Sequence, residues 1–304
     1  MNYKKIIKSR NVRFKILKAL SFVPDSIMLR VQYRLQLGRW PNLSHPSRYT
    51  EKLQFYKMYY RNPLLSQCVD KYAVRSYVEG LGLSTILNKL YGLYDRADDI
   101  DFDNLPDRFV IKTTDGGGGN TIIICEDKSK LDITETIQTV NSWRNLGREV
   151  NSGREWAYTG IKKSQIIVEE YLENPENPDA GIEDFKILCF GGEPKYVIVD
   201  KDRYIDHKRN FYTPDWKRIN VDTDHEQFNE EFPQPKNFDV MLDAARKLSK
   251  AFPTVRVDLY NIEGRILFGE LTFYPWSGYV QFKPDEFDFT LGKLFDITTL
   301  SKNN

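Results

Sequence analysis

Two alternating stretches, Val255-Arg256-Val257-Asp258 and Glu270-Leu271-Thr272, lie either side of Glu263-Gly264. Alternation marks a half-buried strand and the Glu-Gly pair reads as a turn, so the segment predicts a β-hairpin. Folded about Gly264, it sets Asp258 across from Glu270 and Arg256 across from Thr272. Side chains alternate along a strand, so these four share one face. Val255, Val257, Leu259, Leu271 and Phe273 take the other face and enter a core. Two carboxylates opposed on a sheet repel each other, and they stay ionised together when a cation lies between them. The hairpin therefore reads as a holder for a metal and an anionic group. The bland alternative is a solvated polar face, and a one-residue slip of register would separate the two acids.

A second feature lies upstream. Phe109-Val110-Ile111-Lys112-Thr113-Thr114 runs into Asp115 and four glycines, Gly116, Gly117, Gly118 and Gly119, and Ile122-Ile123-Ile124 follows. Glycine admits close backbone approach, and successive N–H groups in such a loop form an anion-binding concavity. Lys112 supplies a point charge at its entrance. No lysine follows the glycines and a strand rather than a helix comes next, so neither P-loop nor dinucleotide fingerprint applies. A phosphate-covering loop between two antiparallel strands is the better reading; a surface hairpin turn is the plainer one. A third piece, Ile166-Ile167-Val168-Glu169-Glu170-Tyr171-Leu172, is an apolar strand with an acidic-aromatic end, suited to presenting backbone groups to a purine while Tyr171 or Leu172 packs on it.

The order and type of these pieces resemble the ATP-grasp superfamily over roughly residues 67–280. The resemblance implies an α+β, ATP-grasp fold in which the nucleotide is held between two antiparallel β-sheet lobes, here with a basic helical N-terminal extension. It implies these segments: 1–66, basic and helical; 67–108, preceding the ATP-grasp lobes; 109–172, the small lobe with the Gly-rich loop; and 173–304, the large lobe with a magnesium site. Lys71, after Asp70, and Lys112 match the family's two phosphate lysines. Glu169, Glu170, Tyr171 and Leu172 match its adenine hinge. Asp184, in preference to Glu183, matches its ribose acid. Asp258 and Glu270 match its magnesium ligands, and Arg256 the arginine that steadies the transferred phosphate. The family usually has Asn where Thr272 stands; a hydroxyl offers magnesium one oxygen.

The finer resemblance is to the teichuronopeptide-biosynthesis, TupA-like branch. It rests on Glu51-Lys52-Leu53-Gln54, Asp70-Lys71-Tyr72, Phe185-Lys186-Ile187-Leu188-Cys189-Phe190-Gly191-Gly192 and Glu270-Leu271-Thr272-Phe273-Tyr274-Pro275-Trp276-Ser277-Gly278. It implies an ATP- and Mg2+-dependent carboxylate-amine ligase that forms an amide through an acylphosphate. The substrates implied are an amino acid and a uronic-acid sugar, nucleotide- or lipid-linked, in bacterial surface polysaccharide (capsule, teichuronopeptide or O-antigen) biosynthesis. Two rivals remain: a sugar phosphotransferase using the same ATP site, and a non-catalytic, membrane-associated glycan-binding protein. Arg203, Lys208 and Arg209 fall in a basic stretch, Asp202 to Phe211, which reads either as a loop closing on the γ-phosphate or acceptor carboxylate or as an ordinary exposed loop. Lys186 is a further phosphate candidate. Trp276, Ser277 and Gly278 follow the magnesium strand, where a small turn brings Ser277 to an acceptor and Trp276 stacks on a sugar or fills the core.

Composition narrows the field. The 304 residues carry a formal net charge of +1, which argues against a general nucleic-acid binder. Cys68, Cys125 and Cys189 are odd in number and scattered, giving neither a disulfide framework nor a metal-ligand spacing. His45, His207 and His225 are equally scattered, against a zinc site or a Ser-His-Asp triad. There is no run of transmembrane length and no signal peptide, so a cytoplasmic location is expected. Residues 1–40 nevertheless hold ten bases and one acid, Asp25. Ile6, Ile7, Phe14, Leu17, Leu20 and Phe22 interleave with those bases at loosely helical spacing up to Pro24. This reads as a basic amphipathic helix over residues 1–22. One reading docks it on an anionic membrane surface at the inner face of the plasma membrane; the other packs its apolar side on the body. Helices are further expected over 26–62 with breaks at Pro41-Asn42 and His45-Pro46, from Asp70 to Glu79, over 134–146 and from Asp239 to Phe252. A hairpin turns at Gly191-Gly192-Glu193.

Overall fold

The computed structural model describes residues 10–117, 121–143, 153–174, 181–203, 205–298 and 300, with the side chains of residues 10, 11, 13, 14 and 18 excepted. Its helices are α1 (Arg10–Ala19), α2 (Asp25–Leu37), α3 (Tyr49–Tyr59), α4 (Leu64–Val69), α5 (Val74–Gly80), α6 (Ile133–Trp143), α7 (Phe238–Ser249) and α8 (Glu286–Leu294), beside shorter helical turns. The strands are β1 (Leu90–Tyr94), β2 (Phe109–Thr113), β3 (Ile122–Cys125), β4 (Ile166–Glu170), β5 (Asp184–Phe190), β6 (Glu193–Lys201), β7 (Lys208–Tyr212), β8 (Arg218–Ile219), β9 (Thr254–Ile262) and β10 (Arg265–Thr272). The chain forms two compact units. One comprises Met1–Arg61, Ser152–Trp156 and Asn174–Asn304, the other Asn62–Asn151 and Ala157–Glu173.

The smaller unit is built on an antiparallel sheet of order β1-β4-β2-β3. Phe109, Ile111, Ile166 and Val168 fill one face, and α6 lays Val140 on them with Ile137 and Trp143 alongside. Residues 144–146 of the expected helix lie outside the described residues. The helix expected to start at Asp70 begins only at Val74. The Asp70 Oδ1 accepts from the N–H groups of Tyr72 (2.9 Å) and Ala73 (2.8 Å), so a turn precedes the helix. Strand β4 is interior, so its backbone is engaged on both sides as far as Glu170, which donates to the Lys89 carbonyl at 2.9 Å. The chain leaves the sheet at Tyr171.

The larger unit carries an antiparallel sheet of order β10-β9-β5-β6-β7-β8. Val255, Val257, Leu259 and Leu271 are buried on one face, where α7 packs with Met241, Ala245 and Leu248 inward. Each of the larger of these side chains contributes roughly 1.5–3 kcal/mol by leaving water. The β9–β10 hairpin turns at Glu263-Gly264, both at positive φ. Pairing runs from Arg265↔Ile262 to Phe268↔Leu259, skips Gly269, and resumes with Glu270↔Asp258 and Thr272↔Arg256. That extra residue decides the site. Were Gly269 paired in regular register with Asp258 instead of bulged, Glu270 would fall opposite Val257, on the apolar face. A Cβ on Gly269 would lie 2.9 Å from the Asp258 carbonyl oxygen and 3.4 Å from Tyr260 Cε2. Gly269→Ala is therefore expected to cost about 1–3 kcal/mol, read as a lower urea midpoint. An unchanged midpoint would mean that the bulge yields without strain.

Helix α3 explains one sequence motif. Glu51 caps its own helix, accepting from the N–H groups of Asn42 (2.9 Å), Ser47 (3.1 Å) and Arg48 (3.2 Å). Lys52 donates to the carbonyls of Gly292 and Phe295, both at 2.7 Å, at the C-terminal end of α8. Gln54 reaches the carbonyls of Ser277 (3.3 Å) and Gly278 (3.1 Å). The Glu51-Lys52-Leu53-Gln54 run thus anchors α3 to α8 and to the turn beyond β10. All three cysteines are buried and unbridged.

Candidate functional site

Within the larger unit, the sheet face opposite α7 holds a charged cluster drawn from five strands. Arg256 forms a fork on Asp258, with Nε to Oδ1 and Nη2 to Oδ2 both at 2.7 Å. The same Nη2 lies 3.4 Å from Glu270 Oε1 and 3.1 Å from Thr272 Oγ1. The Thr272 hydroxyl in turn lies 3.0 Å from Glu270. The cation that the opposed acids call for is thus supplied here by Arg256. Lys186 stands on β5 directly beside Asp258. It bonds Asp184, lies 3.3 Å from Asp200 and 3.8 Å from Asp258. Arg203 donates to Asp184 at 2.8 Å.

On β7, Arg209 faces this cluster, with Nε to Asp200 Oδ1 at 2.5 Å and Nη2 to Oδ2 at 2.9 Å. Its Nη1 bonds Asp224, which also accepts from Trp276 Nε1 at 3.1 Å. Burial works to raise the Asp200 carboxyl, but the nearby His207 ring (3.4 Å), the hydrogen bonds from Arg209 and the charge of Lys186 outweigh it. They hold Asp200 far below the ordinary carboxylate range. Burial pushes Asp258 the other way, upward, with Asp184 and Glu270 adding to the shift and Arg256 and Lys186 opposing it.

The residues after β10 form a left-handed turn, with φ of 51° at Trp276, 54° at Ser277 and 69° at Gly278. Non-glycine residues hold such angles only when their surroundings over-determine them. Here Lys57, fully buried, donates to the Ser277 carbonyl (2.8 Å) and hydroxyl (2.9 Å), and the Ser277 hydroxyl reaches Glu155 at 2.5 Å. Burial pulls the Lys57 ammonium down to about 8, with Glu155 opposing.

In the smaller unit, β2 and β3 pair as an antiparallel hairpin around the glycine loop. Lys71 donates its backbone N–H to the Thr114 carbonyl (2.9 Å) and its ammonium to the Gly116 carbonyl. Lys112 and Glu169 form an ion pair at 2.9 Å, with Arg75 3.6 Å from the other Glu169 oxygen. A Cβ on Gly116 would overlap Thr121, whereas Gly117 faces open space. Gly118 and Gly119 lie outside the described residues. Tyr171 lies under the Arg108 guanidinium at 5.0 Å.

The larger unit therefore brings together Arg256, Asp258, Glu270, Thr272, Lys186, Asp184, Arg203 and Arg209, with Trp276 joined through Asp224. It does not bring Lys208 to them. Neighbours on a strand face opposite ways, so Arg209 facing the cluster turns Lys208 outward, where it pairs with Asp206 at 3.0 Å. The basic stretch read as a loop is in part a strand, β7. Sequence reasoning missed Asp200, although folding the β5–β6 hairpin about Gly192 sets it opposite Asp184. It also missed Arg75, Lys57, Glu155 and the close, tilted rings of His207 and His225, with centroids 3.7 Å apart.

The donor set suits magnesium. Asp258, Glu270 and Thr272 offer hard oxygens on one face, and Asp184 Oδ1 is buried without a hydrogen-bond partner. Among the described residues no three or more His, Cys, Asp or Glu converge into a metal cage. Magnesium ordinarily takes one or two carboxylates and completes its shell with water and phosphate. Among the described residues, too, no helix is long and apolar enough to cross a membrane.

Solved structures resemble the chain only distantly. D-alanine–D-alanine ligase from Bacillus anthracis is 19% identical over 69% of this chain and 59% of its own, with a TM-score of 0.44. The same ligase complexed with ATP gives 18%, 69%, 57% and 0.44. The ADP complex of N5-carboxyaminoimidazole ribonucleotide synthetase gives 15%, 73%, 50% and 0.43. The chain thus spans less than two thirds of the length of these proteins. No curated protein matches it. Residues 51–296, most of the chain, match the family described as TupA-like ATPgrasp, and the protein belongs to that family.

Proposed function

We propose that the protein is an ATP-dependent carboxylate-amine ligase that joins an amino acid to a uronic-acid sugar in the making of a bacterial surface polysaccharide. The observation that carries this reading is the opposition of Asp258 and Glu270 across β9 and β10, with Arg256 between them. Magnesium, held by Asp258 and Glu270 with the Thr272 hydroxyl, would neutralise charge on the β- and γ-phosphates. The ammonium groups of Lys71 and Lys112 and the amides of Gly116 to Gly119 bind phosphate oxygens. Tyr171 and Leu172 flank adenine, with Glu169 and Glu170 fixing the strand end, and Asp184 receives the ribose. The sugar carboxylate attacks the γ-phosphorus in line, releasing ADP and forming an acylphosphate. The amine then displaces phosphate, gives up a proton, and leaves the amide. Arg256 and Lys186 stabilise the charge that develops in both steps. Arg209 fixes Asp200 and Trp276, and Arg203, Trp276, Ser277 and Gly278 receive the acceptor. The enzyme works in the cytoplasm against the inner face of the plasma membrane.

The test is a matrix of amino acids against uronic-acid sugars, free and nucleotide-linked, scored for ADP and free phosphate. Release of both products only when an amine and a carboxylate are present together is the expected result. Phosphate retained on the sugar would instead make the protein a phosphotransferase, and sugar binding without ADP formation would make it a glycan-binding protein.

A further inference from the structure

Helix α2 is apolar on two sides. Met28, Leu29, Tyr33 and Leu37 are buried against the body. Ile27, Val31 and Leu35 recur every fourth residue, which at 100° per residue places them on the opposite side. They are 53%, 39% and 39% exposed, and Phe22 (81%) and Trp40 (64%) stand at either end of the helix. On α1 and the turn that follows it, Val12, Ile16 and Leu20 repeat the four-residue spacing and are exposed as well. A helix hydrophobic all round is ordinarily buried, so the outer stripe of α2 calls for something to cover it.

Charge says what that is. Ten bases and a single acid fall in residues 1–40, against 34 bases and 42 acids in the rest of the chain. The one acid, Asp25, is already paired with Arg154 at 2.8 Å. Arg34 is exposed beside the α2 stripe, and Lys15 is exposed between Val12 and Ile16. A second copy of this face would bring one cationic surface against another, and a nucleic acid would leave the apolar stripes unused. An anionic bilayer satisfies both, with aliphatic side chains at acyl depth, bases at the headgroups and aromatic rings at the boundary.

We propose that α2, together with α1, is a docking surface for an anionic lipid bilayer, laid flat with the Ile27-Val31-Leu35 stripe inward. This deepens the membrane part of the proposed function and needs none of its chemistry. The experiment is flotation of the full chain with vesicles of phosphatidylglycerol and phosphatidylcholine, against phosphatidylcholine alone, at low and high salt, followed by tryptophan emission with Trp40→Phe as the control that assigns the shift to Trp40. Wild type should bind the anionic vesicles, shift its emission to the blue, and release as salt rises. Ile27→Gln/Val31→Gln/Leu35→Gln should weaken binding by roughly tenfold or more, and Phe22→Ser, at an even more exposed site, should weaken it less. Both variants should keep the wild-type circular dichroism spectrum and ATP turnover. Absence of binding to anionic vesicles, equal binding by the triple variant, or a concentration-dependent dimer that the triple variant abolishes would overturn the assignment. Turnover is read separately, so failure of docking and failure of the ligase reading are distinguishable.

Discussion

Asp200→Ala is expected to lower the melting temperature by about 10 °C, while Asp224→Ala should leave it nearly unchanged. Both acids bond Arg209, but Asp200 is 1% exposed and its carboxylate also faces Lys186 and His207. Removing it leaves the buried Arg209 guanidinium with only the half-exposed Asp224, and Lys186 with one fewer acid. Breaking a buried pair from one side costs roughly 3–5 kcal/mol, and each kcal/mol moves the midpoint of a chain this size by about 2–4 °C. Asp224 is half exposed at 48%, so its bond to Arg209 is screened and contributes little. The pH dependence has a definite sign. The folded Asp200 carboxyl lies below its unfolded value of about 3.9, so its contribution is fully present above that pH and fades as pH falls toward the folded value. The gap between wild type and Asp200→Ala should hold steady from neutrality to about pH 5 and narrow below about pH 4. Thermal melts at a series of pH values decide it, and a gap that widens in acid would show that Asp200 is not the carboxylate held low.

The parts of this fold that could be read from sequence are those set by local alternation and turns. The β9–β10 hairpin was legible because Val255, Val257 and Leu271 mark the buried face, and its turn at Glu263-Gly264 is short. Folding simply about Gly264 even gives the right partners, because the Gly269 bulge restores the register that the two-residue turn offsets. The β2–β3 hairpin, α6, α7 and the Gly191-Gly192 turn follow from the same kind of signal. What could not be read is whatever depends on distant strands. The order β10-β9-β5-β6-β7-β8 brings Lys186 beside Asp258, and nothing in either segment encodes that adjacency. Lys208 and Arg209 look equivalent until β7 is known to be a strand, when alternation separates them. Lys57, Glu155 and Ser277 meet across more than 90 residues of chain at each step, so no spacing announces them. In the smaller unit the pairing of Lys112 with Glu169, whose other oxygen faces Arg75, depends on β2 lying beside β4 and could not be read from either segment.

Asp258→Asn and Glu270→Gln should each reduce ADP formation on the order of 10²–10³-fold, the range for losing one preorganised charge-stabilising group. Both changes keep shape and polarity, so the hairpin and its bulge should survive with only a small change in melting temperature. Arg256 would lose half of its fork in the first and a weaker 3.4 Å partner in the second, and the first should therefore be the more damaging. Activity alone does not separate a lost metal ligand from a disturbed arginine; dependence on magnesium does. The deciding measurement is calorimetric titration of ATP into wild type and Asp258→Asn, each with magnesium and with EDTA. Wild type should bind ATP more tightly with magnesium than with EDTA, and Asp258→Asn should bind it equally under the two conditions. ATP binding by wild type that ignores magnesium, or no binding at all, would contradict a metal–nucleotide site on this face of the sheet.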